Sequence, residues 1–301
     1  MHSKVETQRS DDDGAGAVAT APSTGALAQK DRGLWQVRGD RHLFRDLLES
    51  LRNPEFWTLS AWLDIVVTYR RSRLGPLWLI MPSAVYIWGV GSVFAGLWHT
   101  HITHFVAQLA LGWTVFTVMH SVIVQSTMVL QGSRSFIMDG RTRLTDFILR
   151  SMAKAVFYFL MALPMTALAV AVFPSLHPWG LLVALGAFVL VIINTFTAGV
   201  VFALMGARFP DIQEVVNNIF RVLFLFTPIV WLPAQMPPHS LRGQIARMNP
   251  FYHLIEVFRA PILGEHVSVL SWSYVGILTV SGIALAAFLY RRYARLVPIW
   301  L

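Results

Sequence analysis

Three histidines within the six-residue stretch HTHITH, His99, His101 and His104, are the most compact set of metal-capable side chains in the sequence. Imidazole nitrogens at close spacing suit zinc or copper. Here they straddle a tight turn between two apolar runs, beside Trp98, where surface histidines are the ordinary outcome, so no metal is expected. The chain has no cysteine, which removes thiolate ligands and disulfides. Its lysines, Lys4, Lys30 and Lys154, complete no Gly-rich phosphate loop, so the chain is expected to bind no nucleotide and to carry no cofactor of its own. No H-E-x-x-H, G-x-S-x-G or paired-carboxylate arrangement suggests catalysis, and no catalytic residue is assigned.

The elements that would position any function are written in the charge pattern. Charged residues make up 13% of the 301 positions, about half the share of an ordinary soluble domain. Mean hydropathy is +0.56. Four windows hold no Asp, Glu, Lys or Arg: 74–133, 155–207, 222–241 and 267–290. A helix needs about 20 apolar residues to cross hydrocarbon roughly 30 Å thick. Each long window fits two crossings and each short one fits a single crossing. The reading is an all-α integral membrane protein with six transmembrane helices at about 77–97, 105–130, 155–172, 181–205, 215–232 and 272–289. Arg221, in the fifth, is expected to snorkel. The spans otherwise lack the mid-membrane ionisable groups of ion-coupled carriers.

The net charge of +8 sits at span ends, which argues against nucleic acid as the partner. With six spans, one side carries Arg70, Arg71, Arg73, Arg134, Arg141, Arg143, Arg150, Lys154, Arg208, Arg291, Arg292 and Arg295. The other carries Arg242, Arg247 and Arg259. That bias places both termini in the cytoplasm. Residues 1–33, polar and rich in small side chains without a cleavable signal pattern, read as a disordered cytoplasmic tail.

Residues 34–73 read as a cytoplasmic and interfacial region. Asn53 suits an N-cap, Pro54 a first helical position, and Phe56, Leu59, Trp62, Leu63 and Val66 recur at helical spacing. This predicts an N-terminal amphipathic interface helix with Trp57 and Trp62 at headgroup depth. The connection 131–150 carries Arg134, Asp139, Arg141, Arg143 and Asp146 beside apolar residues, with a short helix expected from Leu144. It is either a solvated basic loop or a docking element. Residues 233–266 contain an apolar stripe from Phe251 to Leu263, too short to span, which predicts a re-entrant segment before the last span. Glu256 and Arg259 are spaced to pair within it.

The residues Asp64-Ile65 followed by Tyr69, Arg70, Arg71, Ser72, Leu74, Gly75, Pro76 and Trp78 form a recognisable run. Thr227-Pro228-Ile229 forms a second, and a third comprises Asn249, Pro250, His253, Leu254, Ile255, Glu256, Arg259, Leu263 and Gly264. Together, from about Phe56 to Arg295, the chain resembles the ABC-2 type permeases that export polysaccharides such as O-antigen, capsule and teichoic acid. The resemblance implies a channel-forming subunit of an ATP-driven exporter in the bacterial inner membrane. It implies a homodimer with a second copy of the chain, and two copies of a separate ABC ATPase that holds the ATP and Mg. The cargo would be a lipid-linked polysaccharide. On this view the interface helix and the 131–150 connection face the ATPase. The stretch bearing Asn249, Pro250, His253, Glu256 and Arg259 forms an outer gate. Tyr86, Trp88, Phe220 and Phe224 are either interface and packing residues or the aromatic lining of a path for the sugar chain. An ABC-2 permease for a lipid or drug, and a polytopic membrane transferase, are the alternatives.

Overall fold

The computed structural model describes residues 42–70, 77–140, 142–172, 177–232 and 240–301, all within one unit, Asp40–Leu301. Arg71, Ser72, Gly75, Pro76 and Arg141, the tail, and residues 233–239 lie outside the described residues. Every regular element described is helical. In chain order these are α1 (Leu43–Arg52), α2 (Glu55–Tyr69), α3 (Leu77–Leu97), α4 (Ile102–Val129), α5 (Arg134–Met138) and α6 (Leu144–Ala171). There follow α7 (Pro178–Arg208), α8 (Ile212–Phe226), α9 (Leu241–Met248), α10 (Pro250–Ile262), α11 (Val269–Tyr293) and α12 (Val297–Trp300). Helices close every backbone hydrogen bond internally, which hydrocarbon demands of a chain that cannot turn to water.

Among the described residues, five helices are long and apolar enough to cross a membrane: α3, α4, α6, α7 and α11. The fifth expected span, 215–232, is different. Its helix, α8, has 15 residues and ends at Phe226. Thr227 precedes Pro228 and is extended (φ −86°, ψ 134°), because a residue before proline is driven out of the helical region. The short helix expected from Leu144 is the first turn of α6, which begins well before residue 155 and runs on to Ala171. Its entry is fixed by Asp146, whose carboxylate accepts the backbone N–H of Arg143 at 2.9 Å.

α4 is the axis of the bundle. Phe105 through Gly112 are all buried, and the helix packs against α6, α7 and α10. Small residues let these helices meet. A Cβ on Gly206 would lie 1.7 Å from the Thr127 carbonyl oxygen, and one on Gly180 would lie 1.7 Å from that of Pro261. Only glycine allows backbones to cross that closely. Side-chain hydrogen bonds join the crossings: Asn194 Nδ2 donates to Thr279 Oγ1 at 2.7 Å between α7 and α11. The Thr114 and Thr166 hydroxyls hydrogen-bond each other at 2.9 Å between α4 and α6. Large apolar side chains such as Leu181, Leu185, Ile277 and Phe288 point outward, as hydrocarbon permits.

α10 is placed by its two ends. Pro250, at the start of α10, lines a cavity with Asn194 and Thr197 from the middle of α7 and with Gly282 of α11. Pro261, near its end, sits against Gly180 in the first turn of α7. α10 therefore occupies one half of the bundle's depth, the half away from α1 and α2.

One local expectation is corrected. Asn53 does not open α2; its backbone N–H and Nδ2 both donate to Glu49 O at 3.1 Å, so it closes α1. Trp57 is half-buried, and its Nε1 donates to Ser50 O at 3.0 Å. Trp62 is 55% exposed. Apolar and polar faces are separated most sharply in α1, which leaves Phe44, Leu48 and Leu51 in one exposed row.

Candidate functional site

At the end that carries α1 and α2, polar side chains tie both helices to the bundle. Asp64 of α2 accepts from Arg150 Nε at 2.9 Å and faces Lys154 Nζ at 3.1 Å, both on α6. Burial pushes the Asp64 carboxyl up, but the hydrogen bonds from Arg150 and Lys154 outweigh it and hold it below its ordinary range. Glu49 of α1 is lowered by its hydrogen bonds with Arg45 and Arg143. The Ser50 and Thr145 hydroxyls meet at 2.7 Å, and Tyr290 donates to Asp46 at 2.6 Å, joining α11 to α1.

This arrangement divides the residues expected to dock a partner. Arg134 and Asp139 are exposed, next to Phe136 and Met138, which are 50% and 48% exposed. Arg143 instead turns back to Glu49, with Nε 3.0 Å from Oε2. Asp146 is 3% exposed and caps α6, so its carboxylate is part of the fold rather than of an open surface. Of the run from Asp64 to Pro76, Tyr69 lines a cavity and Arg70 is exposed at the C-cap of α2.

Aromatic rings gather along α4. Tyr86 of α3 stacks on Trp113 of α4 with centroids 3.6 Å apart. Phe224 of α8 stands edge-on to both, at 6.0 Å and 5.8 Å. Phe116 meets Phe220 and Phe224, and His120 meets Phe220 at 5.0 Å. A cavity of about 350 Å³ opens against these rings. A second, of about 270 Å³, is lined by Tyr69, Trp78, Ser83 and Tyr158. Trp113 and Thr117 line both, so the aromatic groove between α3, α4 and α8 shares a wall of ring and hydroxyl with the second cavity. Three of the four aromatics singled out in the sequence, Tyr86, Phe220 and Phe224, meet here. Trp88 packs against the core on another face of α3. Trp113, Phe116 and His120 were not singled out. Their helix is apolar all round, so periodicity gives no face to favour; only the coincidence of bulky rings at i, i+3 and i+7 marks them.

In the opposite half of the bundle, two of the three sequence runs join. Asn249 Nδ2 donates to Thr227 Oγ1 at 2.7 Å, and its Oδ1 caps α10 by accepting the Phe251 N–H at 3.0 Å. Arg259, 2% exposed, donates through Nη1 to the Pro228 carbonyl at 2.8 Å. Pro250 holds the first position of α10. Glu256 and Arg259, although spaced to pair, form no ion pair. The guanidinium reaches the carbonyl freed by the end of α8, and Glu256 hydrogen-bonds the Tyr252 hydroxyl. His253 donates from Nε2 to Arg247 O at 2.7 Å, which leaves Nδ1 to accept from Ser271 Oγ at 3.0 Å. The histidines of the HTHITH turn are spread: His99 has φ 49°, His101 is the N-cap of α4, and His104 lies 3.7 Å from Glu265.

Comparison with known proteins agrees with this geometry. Residues 55–263 match the ABC-2 type transporter family. Over 235 residues the chain is 20% identical to the polysialic acid transport protein KpsM of Escherichia coli, covering 76% of this chain and 89% of KpsM. Over 243 residues it is 23% identical to the O-antigen export system permease protein RfbA of Klebsiella pneumoniae, covering 77% of this chain and 91% of RfbA.

Proposed function

Because this chain belongs to the ABC-2 type transporter membrane family, we propose that it forms the channel through which a lipid-linked polysaccharide crosses the bacterial inner membrane. It is a multi-pass membrane subunit, and the family to which it belongs works with a separate ATPase. On our reading two copies of that ATPase bind a dimer of this chain and hold the ATP and Mg. Both termini face the cytoplasm, and α8 with the residues after it completes a sixth passage. The single observation that carries the reading is the groove of ring faces and hydroxyls at Tyr86, Trp113, Thr117, Phe220 and Phe224. The C–H faces of a sugar lie flat on aromatic rings, while its hydroxyls exchange hydrogen bonds with Thr and Tyr. A chain of sugars can slide across such a surface because no single contact is deep. The names of the two relatives point the same way.

Exposed Arg134, Phe136, Met138 and Asp139 form the surface offered to the ATPase. Glu49, Asp64, Arg143 and Arg150 carry the resulting push into α1, α2 and α6. The run from Asn249 to Arg259 holds the end of α8 and acts as the outer gate.

The test is deletion of the gene with analysis of surface glycans, alongside purification of the tagged chain. Loss of a surface polysaccharide, its accumulation inside the cell and recovery of an ATPase with the chain are expected. An unchanged glycan profile with altered lipid or drug export would replace the reading with its alternative.

A further inference from the structure

Arg221 is the charged residue of the aromatic groove, and its exposed side chain meets no carboxylate among the described residues. It lies on α8 and lines the cavity of about 350 Å³ together with Trp113, Thr117, His120 and Phe224. Arg221 is exposed, and the neighbouring Phe220 ring is 5.0 Å from the His120 ring of α4. A guanidinium set against ring faces needs water or a charged partner.

No such partner is present. Arg221 Nη1 donates to Asn218 Oδ1 at 3.3 Å, and among the described residues Arg221 forms no ion pair. No Asp or Glu lines the cavity. Glu214, on the same stripe of α8, is seven positions back, about 10 Å along the axis. The cavity thus combines ring faces, a Thr hydroxyl, an imidazole and an unneutralised guanidinium.

We propose that this cavity is a subsite for an acidic sugar, and that the exported glycan carries carboxylates. The inference rests on the polysaccharide reading above and specifies its substrate class. Ring faces hold any sugar by its C–H face. The guanidinium adds what only an anion can use, two parallel N–H···O bonds to a carboxylate. The charge that no carboxylate of the cavity answers is neutralised each time an acidic unit passes, which selects for such units and gives them a defined resting position.

The experiment uses the complete transporter, this chain with its ATPase, in lipid nanodiscs. The probes are oligogalacturonate and a malto-oligosaccharide of matched length, read by equilibrium binding. Oligogalacturonate is expected to bind about tenfold more tightly, a difference of about 1.4 kcal/mol. Arg221→Gln abolishes that preference and leaves the malto-oligosaccharide affinity unchanged, which also shows that the variant is folded. Arg221→Lys, which keeps the charge but not the planar fork, retains part of the preference. Equal affinities in the unaltered protein, or a preference that survives Arg221→Gln, overturn the acidic-sugar inference alone. If neither oligosaccharide binds, the polysaccharide reading falls with it.

Discussion

Replacing Asp64 with Asn removes one carboxylate that answers two cations. The Asp64 side chain is 30% exposed, that of Arg150 24% and that of Lys154 21%. A fully exposed pair contributes about 0–1 kcal/mol, whereas a hydrogen bond to a charged group contributes about 1.5–3 kcal/mol. With most of the network shielded, the loss for Asp64→Asn is expected at about 2 kcal/mol. Arg150 and Lys154 then face each other without a counter-charge, so Arg150→Gln should be less damaging in the Asp64→Asn background than alone. The coupling in that double-mutant cycle is expected at about 1 kcal/mol. Thermal unfolding of the purified transporter reads it, with a fall in midpoint of about 4–8 °C for Asp64→Asn. The dependence on pH has a definite sign. The folded carboxyl titrates below the ordinary aspartate range, so its contribution is complete above that range and is lost as pH falls through the folded value. The difference between Asp64→Asn and the unaltered protein should therefore be constant near neutrality and shrink below about pH 4. Additivity of the two substitutions to within about 0.3 kcal/mol would refute the network.

The remaining predictions concern the helix ends and crossings. Arg259→Met strips the buried Pro228 carbonyl of its donor, and a loss of about 1–3 kcal/mol is expected in the same thermal assay; an unchanged midpoint would show that water replaces it. Gly206→Ala places a Cβ 1.7 Å from the Thr127 oxygen and should destabilise by at least about 1–3 kcal/mol. Gly186→Ala, on the same helix with nothing within 4 Å of the added Cβ, should shift stability by no more than about 0.5 kcal/mol. Phe136→Ala combined with Met138→Ala should weaken recovery of the ATPase with the tagged chain while leaving its thermal midpoint in place, since both side chains are about half exposed. Recovery at the unaltered level would move the docking surface elsewhere.

What could be read from the sequence was set by the solvent. Charge-free windows follow from the cost of ions in hydrocarbon, so the helices built from them were legible. The ends of elements were less so, because two local signals compete there. Asn53-Pro54 has the form of a helix start, yet Asn53 is drawn to the Glu49 carbonyl and closes the preceding helix. The row of apolar residues through 215–232 suggested a full span, yet Pro228 stops α8 at Phe226. Asp146 looked like one more charge on a basic loop, and its burial follows only once α6 is seen to start at Leu144. The site was half legible. Tyr86, Phe220 and Phe224 stand out as rings on moderately exposed helices. Trp113 and Phe116 sit on a helix surrounded by protein, where the outward face that periodicity normally reveals does not exist.

The walls of the aromatic groove differ in how firmly they are held, and this bears on how it could admit a polymer. α4 is enclosed on nearly all sides by α6, α7 and α10, and its crossing with α7 depends on a glycine with no room to slide. α3 and α8 have far more exposed side chains. Each also departs from a regular helix where it meets the groove. α3 widens to a π-helical stretch, Val85–Val90, just after Pro82, and that stretch carries Tyr86. Proline removes a hydrogen bond and the wider turn weakens its neighbours, so bending is easiest there. α8 stops at Thr227-Pro228, and its end is held from α10 by the bonds from Asn249 and Arg259. On the proposed reading, the ring faces of Trp113 and Phe116 are therefore the fixed side of the path, and those of Tyr86, Phe220 and Phe224 the side that can yield. A passage built in this way widens by moving two hinged helices against a stationary one, without parting the crossings that hold the bundle together.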